Sequence, residues 1–330
     1  MLDDYRDLAK LDEGGFGQVF RAVQISTGKT VVIKKIQLTN GNQARTLREA
    51  KIHSKLSHKS IIQYIDSFID KDHFYLVMQH ANKGNLLDYI QTEPNLSLQQ
   101  KLQIIKSITA GLIYLHENGI LHRDLKCENV LMTETNGFLE VKLADFGASR
   151  EESNEQMTLI GTPFYVSPEL LQGKKYGQAN DVWGLGCLMY VTLCLKLPFE
   201  ENGLQVNIIH GKYRDMPRSI PSGIQELVKH IFNVNPDERP NTHVVYDIID
   251  KFLANPEAQY IKQQSTKLDV INDKLILLHQ ILLCSVLILF IGIQTRTHKI
   301  GHVLIIASLA VAGTVSYLIQ QLLARKKQLQ

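Results

Sequence analysis

Two periodicities divide this chain and limit what it can fold into. From residue 5 to about 92, short runs of β-type residues, GQVFRAV, TVVIKKI, SIIQYIDSF and HFYLVMQ, surround one segment, ARTLREAKIHSKL, whose apolar positions recur every three to four residues. From 97 to 253 the helical period dominates, as in SLQQKLQIIKSITAGLIYLHENG and in Gln178 to Leu197, broken by loops and by two short β-type runs, NVLMT and LEVKLAD. The order predicts an α+β fold with a small sheet-bearing part followed by a larger helical one. With 44% hydrophobic and 21% charged residues in 330, the chain can bury such cores and is not a disordered sequence.

The formal net charge is +3, but residues 275–330 carry five basic and no acidic side chains, leaving 31 basic and 33 acidic residues before them. The main body is therefore close to neutral, which argues against nucleic acid as a partner. Cys127, Cys187, Cys194 and Cys284 have no CxxC spacing, so the expectation is a reducing compartment without a zinc site. The start, MLDDYRDLAK, lacks the basic and apolar regions of a secretory signal.

Chemistry-bearing residues cluster in a few stretches. LDEGGFGQVF at 11–20 is a glycine-rich turn between β-type runs, where backbone N–H groups can approach phosphates without side-chain collision. Lys34 follows seventeen residues after Gly17 in VVIK, and Glu49 lies on the next helical segment, where it could orient Lys34 or belong to a solvated face with Arg45, Arg48 and Lys51. HRDLKCEN at 122–129 sets Asp124, Lys126 and Asn129 in one short loop, and LADFGASR begins at Leu143. GTPFYVSPE, DVWGLG and NPDERP follow at 161–169, 181–186 and 235–240.

In this order and at these spacings the motifs resemble those of eukaryotic-type protein kinases over roughly residues 5–253, and REAKIHSKLSHKSIIQY, GTPFYVSPELL and IIHGKY look most like the NIMA-related serine/threonine group. The resemblance implies an N-lobe of about 5–80, a C-lobe of about 81–253, and ATP with Mg²⁺ in the cleft between them. Within it Asp124 would orient the substrate hydroxyl, Lys126 would meet the γ-phosphate, and Asn129 and Asp145 would hold the cation. Lys34, paired with Glu49, would fix the α- and β-phosphates. Leu11, Gly14, Gly15, Phe16, Gly17, Val19, Met78, Ala81 and Leu131 would enclose the nucleotide. Lys126 with GTPFY points to protein serine or threonine hydroxyls as substrates, and Thr158, eleven residues before Glu169, is the expected regulatory phosphosite, with Arg123 as its cationic partner. Glu169 with Arg239, and Asp181 with the backbone of the HRD segment, are expected to pin the helical lobe.

Three positions depart from the family pattern. Asp12 stands where the loop's first glycine is usual, placing a negative charge near phosphates; Cys127 replaces a common proline. His53 takes an ordinarily apolar place below the helix, where a buried neutral imidazole is expected rather than a pH switch. With every charged group for transfer present, an active kinase is expected; the alternatives are an inactive kinase fold serving as a membrane scaffold and a small-molecule or lipid kinase.

After a polar linker at 254–274, LILLHQILLCSVLILFIGI at 275–293 is uncharged over 19 residues, roughly 28 Å as a helix, and a second uncharged run occupies 300–323 beyond the loop at 294–299. Two transmembrane helices are predicted, against a buried apolar hairpin as the other reading. Ser308, Ala312 and Ser316 form a small-residue stripe through which copies could associate. Lys262, Lys267, Lys274 and the basic tail at 324–330, with Arg325, Lys326 and Lys327, outnumber Arg296 and Lys299 of the loop, so the kinase lobes and the C-terminus are expected on the cytosolic side. The short first run leans toward a thin bilayer such as that of the endoplasmic reticulum or another internal membrane.

Overall fold

The first strand is the one the periodicity hides. YRDLAKLDEG alternates charge rather than bulk, yet β1 (Tyr5–Gly14) pairs antiparallel along β2 (Gly17–Gln24), and Tyr5 is buried at its foot. A computed structural model describes residues 2–14, 17–147, 149–151 and 163–255, together with 274, 275, 278, 281, 311 and 314–323. The chain divides into two compact units, Met1–Ala254 and Asn255–Gln330.

In the first unit β1, β2, β3 (Thr30–Gln37), β5 (His73–Gln79) and β4 (Tyr64–Asp70) form, in that order, one antiparallel sheet. Strand alternation gives it two apolar faces. One carries Ala22, Val31, Ile33, Tyr75 and Val77 with Tyr5; the other packs Ile36, Phe74 and Leu76 against Ala50 of α1 (Gln43–His53). The run SIIQYIDSF is only partly strand. Ile61 and Ile62 are buried in the core of the helical lobe, and backbone hydrogen bonds tie Ile62 N–H to Leu143 O at 2.9 Å and Leu143 N–H to Ser60 O at 2.8 Å. These residues are apolar because they join the lobes, so strand pairing starts only at Tyr64.

The helical lobe is built from α2 (Leu86–Thr92), α3 (Leu98–Glu117), the short strand β6 (Ile120–Leu121), the hairpin β7 (Val130–Thr135) and β8 (Phe138–Leu143), β9 (Arg150–Glu151), and α4 (Pro168–Leu171), α5 (Gln178–Cys194), α6 (Leu204–Ile209), α7 (Ser222–Ile231) and α8 (Thr242–Ala254). Ser97 and Gln100 form a reciprocal capping box that starts α3. Every residue of α5 from Asn180 to Leu193 is buried, the pattern of a helix at the centre of a core. Its close neighbours leave no room at Gly186, where a Cβ would lie 2.4 Å from Ile231 Cγ2. The helix ends three residues before the predicted Leu197, because Leu195 turns into the left-handed region at φ 55°.

Glu169 and Arg239 form the bidentate pair expected from the motifs, with both contacts at 2.7 Å and both side chains almost fully buried. Asn180 also donates to Glu169 at 2.8 Å, and the guanidinium lies 4.9 Å from the Trp183 ring centroid. Cys127, Cys187 and Cys194 are free thiols, and burial pushes Cys127 up to about 12.

No helix among the described residues is long and apolar enough to cross a membrane. The two uncharged runs, with the loop between them and most of the linker, fall largely outside the described residues; within the second run, residues 314–323 are helical.

Breaking a buried ion pair from one side leaves an uncompensated charge, which costs about 3–5 kcal/mol. Arg239→Ala is expected to lose that much in urea unfolding, and adding Glu169→Gln should restore part of it; a loss below about 1 kcal/mol would show that the pair does not hold the lobe.

Candidate active site

Lys34 lies mid-strand on β3 with only 12% of its side chain exposed, so its ammonium needs partners. It has two, from distant elements: Glu49 Oε1 of α1 at 3.4 Å and Asp145 Oδ1 at 3.3 Å. Burial alone would depress the Lys34 amine, but the two carboxylates raise it instead. Burial pushes Glu49 up, with Lys34 opposing. At Asp145 burial acts upward as well, and the Lys34 charge with the Gly147 N–H outweighs it to hold the carboxyl low. The backbone at Asp145 is left-handed, φ 61°, which aims its side chain toward Lys34 while Gly147 N–H donates to Oδ1 at 3.2 Å.

A second cluster stands on the loop after β6. Asp124 Oδ2 lies 3.0 Å from Lys126 Nζ, and Asn129 donates its amide to Asp124 O at 2.8 Å and to Oδ2 at 2.9 Å. With its Nδ2 so engaged, Asn129 has its amide oxygen left for a cation, and Asp145 has the carboxylate oxygen not committed to Lys34. These are hard oxygen donors suited to Mg²⁺. No cluster of three His, Cys, Asp or Glu side chains suited to a metal exists among the described residues, so such an ion would draw its remaining ligands from phosphate and water.

The loop is fixed from beneath. Arg123 is left-handed at φ 73°, and Asp181 of α5 accepts from His122 N–H and Arg123 N–H, both at 2.9 Å. His116 Nε2 at 2.9 Å and the Tyr176 hydroxyl at 2.7 Å complete its shell. Burial would raise the Asp181 carboxyl, but these hydrogen bonds and the neighbouring imidazoles hold it below the ordinary carboxylate range.

The Lys34 cluster and Asn129 line one cleft of about 630 Å³ between the lobes, while Asp124, to which Asn129 donates, lines a separate hollow with Arg123, Leu125 and Tyr176. Leu11, Val19, Lys34, Met78, Ala81, Leu131, Asn129 and Asp145 line the cleft, so the structure brings these sequence-predicted residues together. Gly14 pairs with Gly17 at the end of the β1–β2 ladder; Gly17 has φ 117°, and a Cβ there would fall 2.2 Å from Lys35 O. Gly15 and Phe16 lie outside the described residues, as does Thr158. His53 is buried and neutral, its pKa lowered by burial, with Nε2 2.7 Å from Ile62 O and its ring 5.0 Å from Phe146.

The sequence reading missed Asn85, Asp88 and Glu128 among the cleft's lining. At the start of α2, Asn85 accepts from Asp88 N–H at 3.0 Å, so in sequence the pair reads as a helix cap. It also missed the 2.8 Å bond from Arg45 Nε to Gly147 O, which joins α1 to the Asp145 segment and has no local signal.

Asp12 lines the same cleft as Lys34. A negative charge there acts on a polyphosphate in ground and transition state alike. Asp12→Gly is expected to lower KM for ATP about two- to fivefold with kcat little changed, as steady-state kinetics would show; an unchanged or raised KM would mean that the carboxylate faces away.

A protein kinase domain model matches residues 5–249. The chain is 35% identical over 249 residues to the serine/threonine-protein kinase PLK4 of Aedes aegypti, covering 72% of this chain and 32% of that protein. It is 34% identical over 276 residues to the carbon catabolite-derepressing protein kinase of Candida glabrata, covering 81% and 44%. With the mouse serine/threonine-protein kinase Nek3 it shares 32% over 248 residues, 73% of this chain and 48% of that one. The chain thus spans less than half the length of each of these relatives, and the similarity extends to Nek and PLK4 kinases alike. By this match and by the cleft it folds around Lys34, Asn129 and Asp145, the chain belongs to the protein kinase family.

Proposed function

We propose that the chain is an active, membrane-anchored serine/threonine protein kinase that transfers the γ-phosphoryl group of ATP to protein hydroxyls. The observation that carries this reading is that Lys34, Asn129 and Asp145 line one cleft, with Asn129 hydrogen-bonded to Asp124, which in turn pairs with Lys126. Phosphoryl transfer asks a protein mainly for alignment and charge neutralisation. Lys34, held by Glu49, binds the α- and β-phosphates. Asp124 receives and orients the acceptor hydroxyl, with one of its oxygens already fixed by Lys126 and Asn129. Lys126 faces the transferred group. Mg²⁺ held by Asn129 and Asp145 would neutralise charge on the phosphate oxygens.

The serine/threonine assignment is supported by the names of the relatives and by Lys126 with GTPFY; the Nek relatives, at 32% identity, support the NIMA-related affinity. Retention of every charged group for transfer favours catalysis over an inactive scaffold. Phosphorylation of Thr158 would order the activation segment through Arg123. Anchoring rests on the uncharged runs at 275–293 and 300–323, whose flanking charges put the lobes and C-terminus in the cytosol, with an internal membrane the better match to the short first run.

With labelled ATP, Mg²⁺ and a serine/threonine protein substrate, the wild-type chain is expected to transfer phosphate, and Asp124→Asn to lower kcat by about 10²- to 10⁴-fold while nucleotide binding persists. Thr158→Ala should remove any gain that phosphorylation gives; equal rates for all three proteins would end the reading. Full-length protein expressed in cells should stay with membranes through alkaline carbonate extraction, and its release would refute the anchor while leaving the kinase assignment intact.

A further inference from the structure

Helix α1 presents two chemically opposite faces. Its inner face buries Thr46, Glu49, Ala50, Ile52 and His53, and through Glu49 it reaches Lys34. Its outer face carries Arg48 and Lys51, three residues apart and therefore neighbours on the helix surface. The chain continues in a turn in which Ser54 N–H bonds Ala50 O at 2.9 Å and Lys55 N–H bonds Ile52 O at 3.1 Å, bringing exposed Lys55 next in the row.

Residues 43–59 hold five exposed cations, Arg45, Arg48, Lys51, Lys55 and Lys59, and their single acid, Glu49, is turned inward. Among the described residues none of Arg48, Lys51, Lys55 and Lys59 stands within ion-pair distance of a carboxylate. A merely solvated helix face commonly mixes the two signs at i, i+4 spacing. This one is cationic, with Leu47, 40% exposed, beside the row.

We infer that the outer face of α1, around Arg48, Lys51 and Lys55, docks on an anionic phospholipid surface. A convex row of cations with one exposed leucine suits a plane of charged headgroups, which attracts each lysine and arginine near it. The inference rests on the anchored reading: in the sequence only the 20 residues of the polar segment Asn255–Lys274 separate the kinase domain from the uncharged runs. Attraction acts only within about a Debye length, roughly 8 Å at physiological salt, so docking is short-ranged and salt-sensitive.

The test uses the full chain, mixed with vesicles of phosphatidylcholine alone or of phosphatidylcholine with phosphatidylserine. Flotation on the neutral vesicles reads the anchor. Lysine acetylation followed by mass spectrometry reads the docking, with Lys212, exposed between α6 and α7, as reference. Lys51 and Lys55 are expected to react at least about fivefold more slowly on the anionic vesicles, Lys212 to be unaffected, and high salt to remove the difference. Arg48→Gln, Lys51→Gln and Lys55→Gln combined should abolish the protection of Lys59 by anionic vesicles while peptide phosphorylation in solution stays within about twofold. Equal acetylation of Lys51 and Lys55 on both vesicles overturns the inference even where the chain floats. Failure to float on neutral vesicles overturns the anchor, and the lysine comparison on anionic vesicles then decides the docking by the same criterion. Protection by polyglutamate without protection by anionic vesicles also overturns it, and assigns the row to an acidic protein segment.

Discussion

The catalytic loop depends on one buried carboxylate. Asp181 sits at the start of α5, buried throughout from Asn180 to Leu193, and takes four hydrogen bonds at 2.7–2.9 Å: two from backbone N–H groups of the loop, one from His116 on α3 and one from Tyr176. Hydrogen bonds to a charged acceptor are worth about 1.5–3 kcal/mol each, and an unmet charge at such depth would be costly. The loop can therefore hold Arg123 in a left-handed conformation that would otherwise relax. From that anchored turn Asp124, Lys126 and Asn129 follow within six residues, so the position of the Asp124 carboxylate is set by the core of the helical lobe.

The other half of the site has a different mechanical character. Lys34 meets its two carboxylates at 3.3–3.4 Å, near the limit of hydrogen bonding, whereas the Glu169–Arg239 contacts are 2.7 Å. Lys34, Glu49 and Asp145 come from β3, α1 and the segment after β8, three elements that share no continuous ladder. Their registration relies on side chains: the ion pairs themselves, Arg45 on Gly147 O, and the His53 ring on Phe146. A charge-mediated joint of this kind tolerates small movements of α1 that a backbone ladder would resist.

How much of this the sequence carried follows from the range of each interaction. Residues that act within one short loop, Asp124 with Asn129 or Gly14 with Gly17, leave a local spacing, and they are legible. So is α3, whose capping box and apolar period lie within one segment. The strand β1 was not, because its apolar content is small and its pairing with β2 decides its form. Ile61 and Ile62 read as strand residues because burial gives the same apolar signature whichever lobe they fill. Asn85 and Asp88 show their cap but not the cleft, and the Arg45 contact across 102 residues leaves no trace in either neighbourhood.

The contrast between the fixed loop and the adjustable joint bears on control. A device acting on this protein gains little by pulling on the catalytic loop, since that would disrupt the Asp181 shell and the core around α5. Helix α1 is the more accessible lever: its inner face carries Glu49 and His53 into the site, and its outer face is solvent-facing and cationic. Forces of a few kcal/mol, the scale of several lysines near an anionic surface, match what would be needed to shift a joint made of long ion pairs. The same helix thus joins the charge pattern outside the cleft to the charge pattern within it, and a ligand that favoured one placement of α1 would thereby favour one state of the Lys34 site.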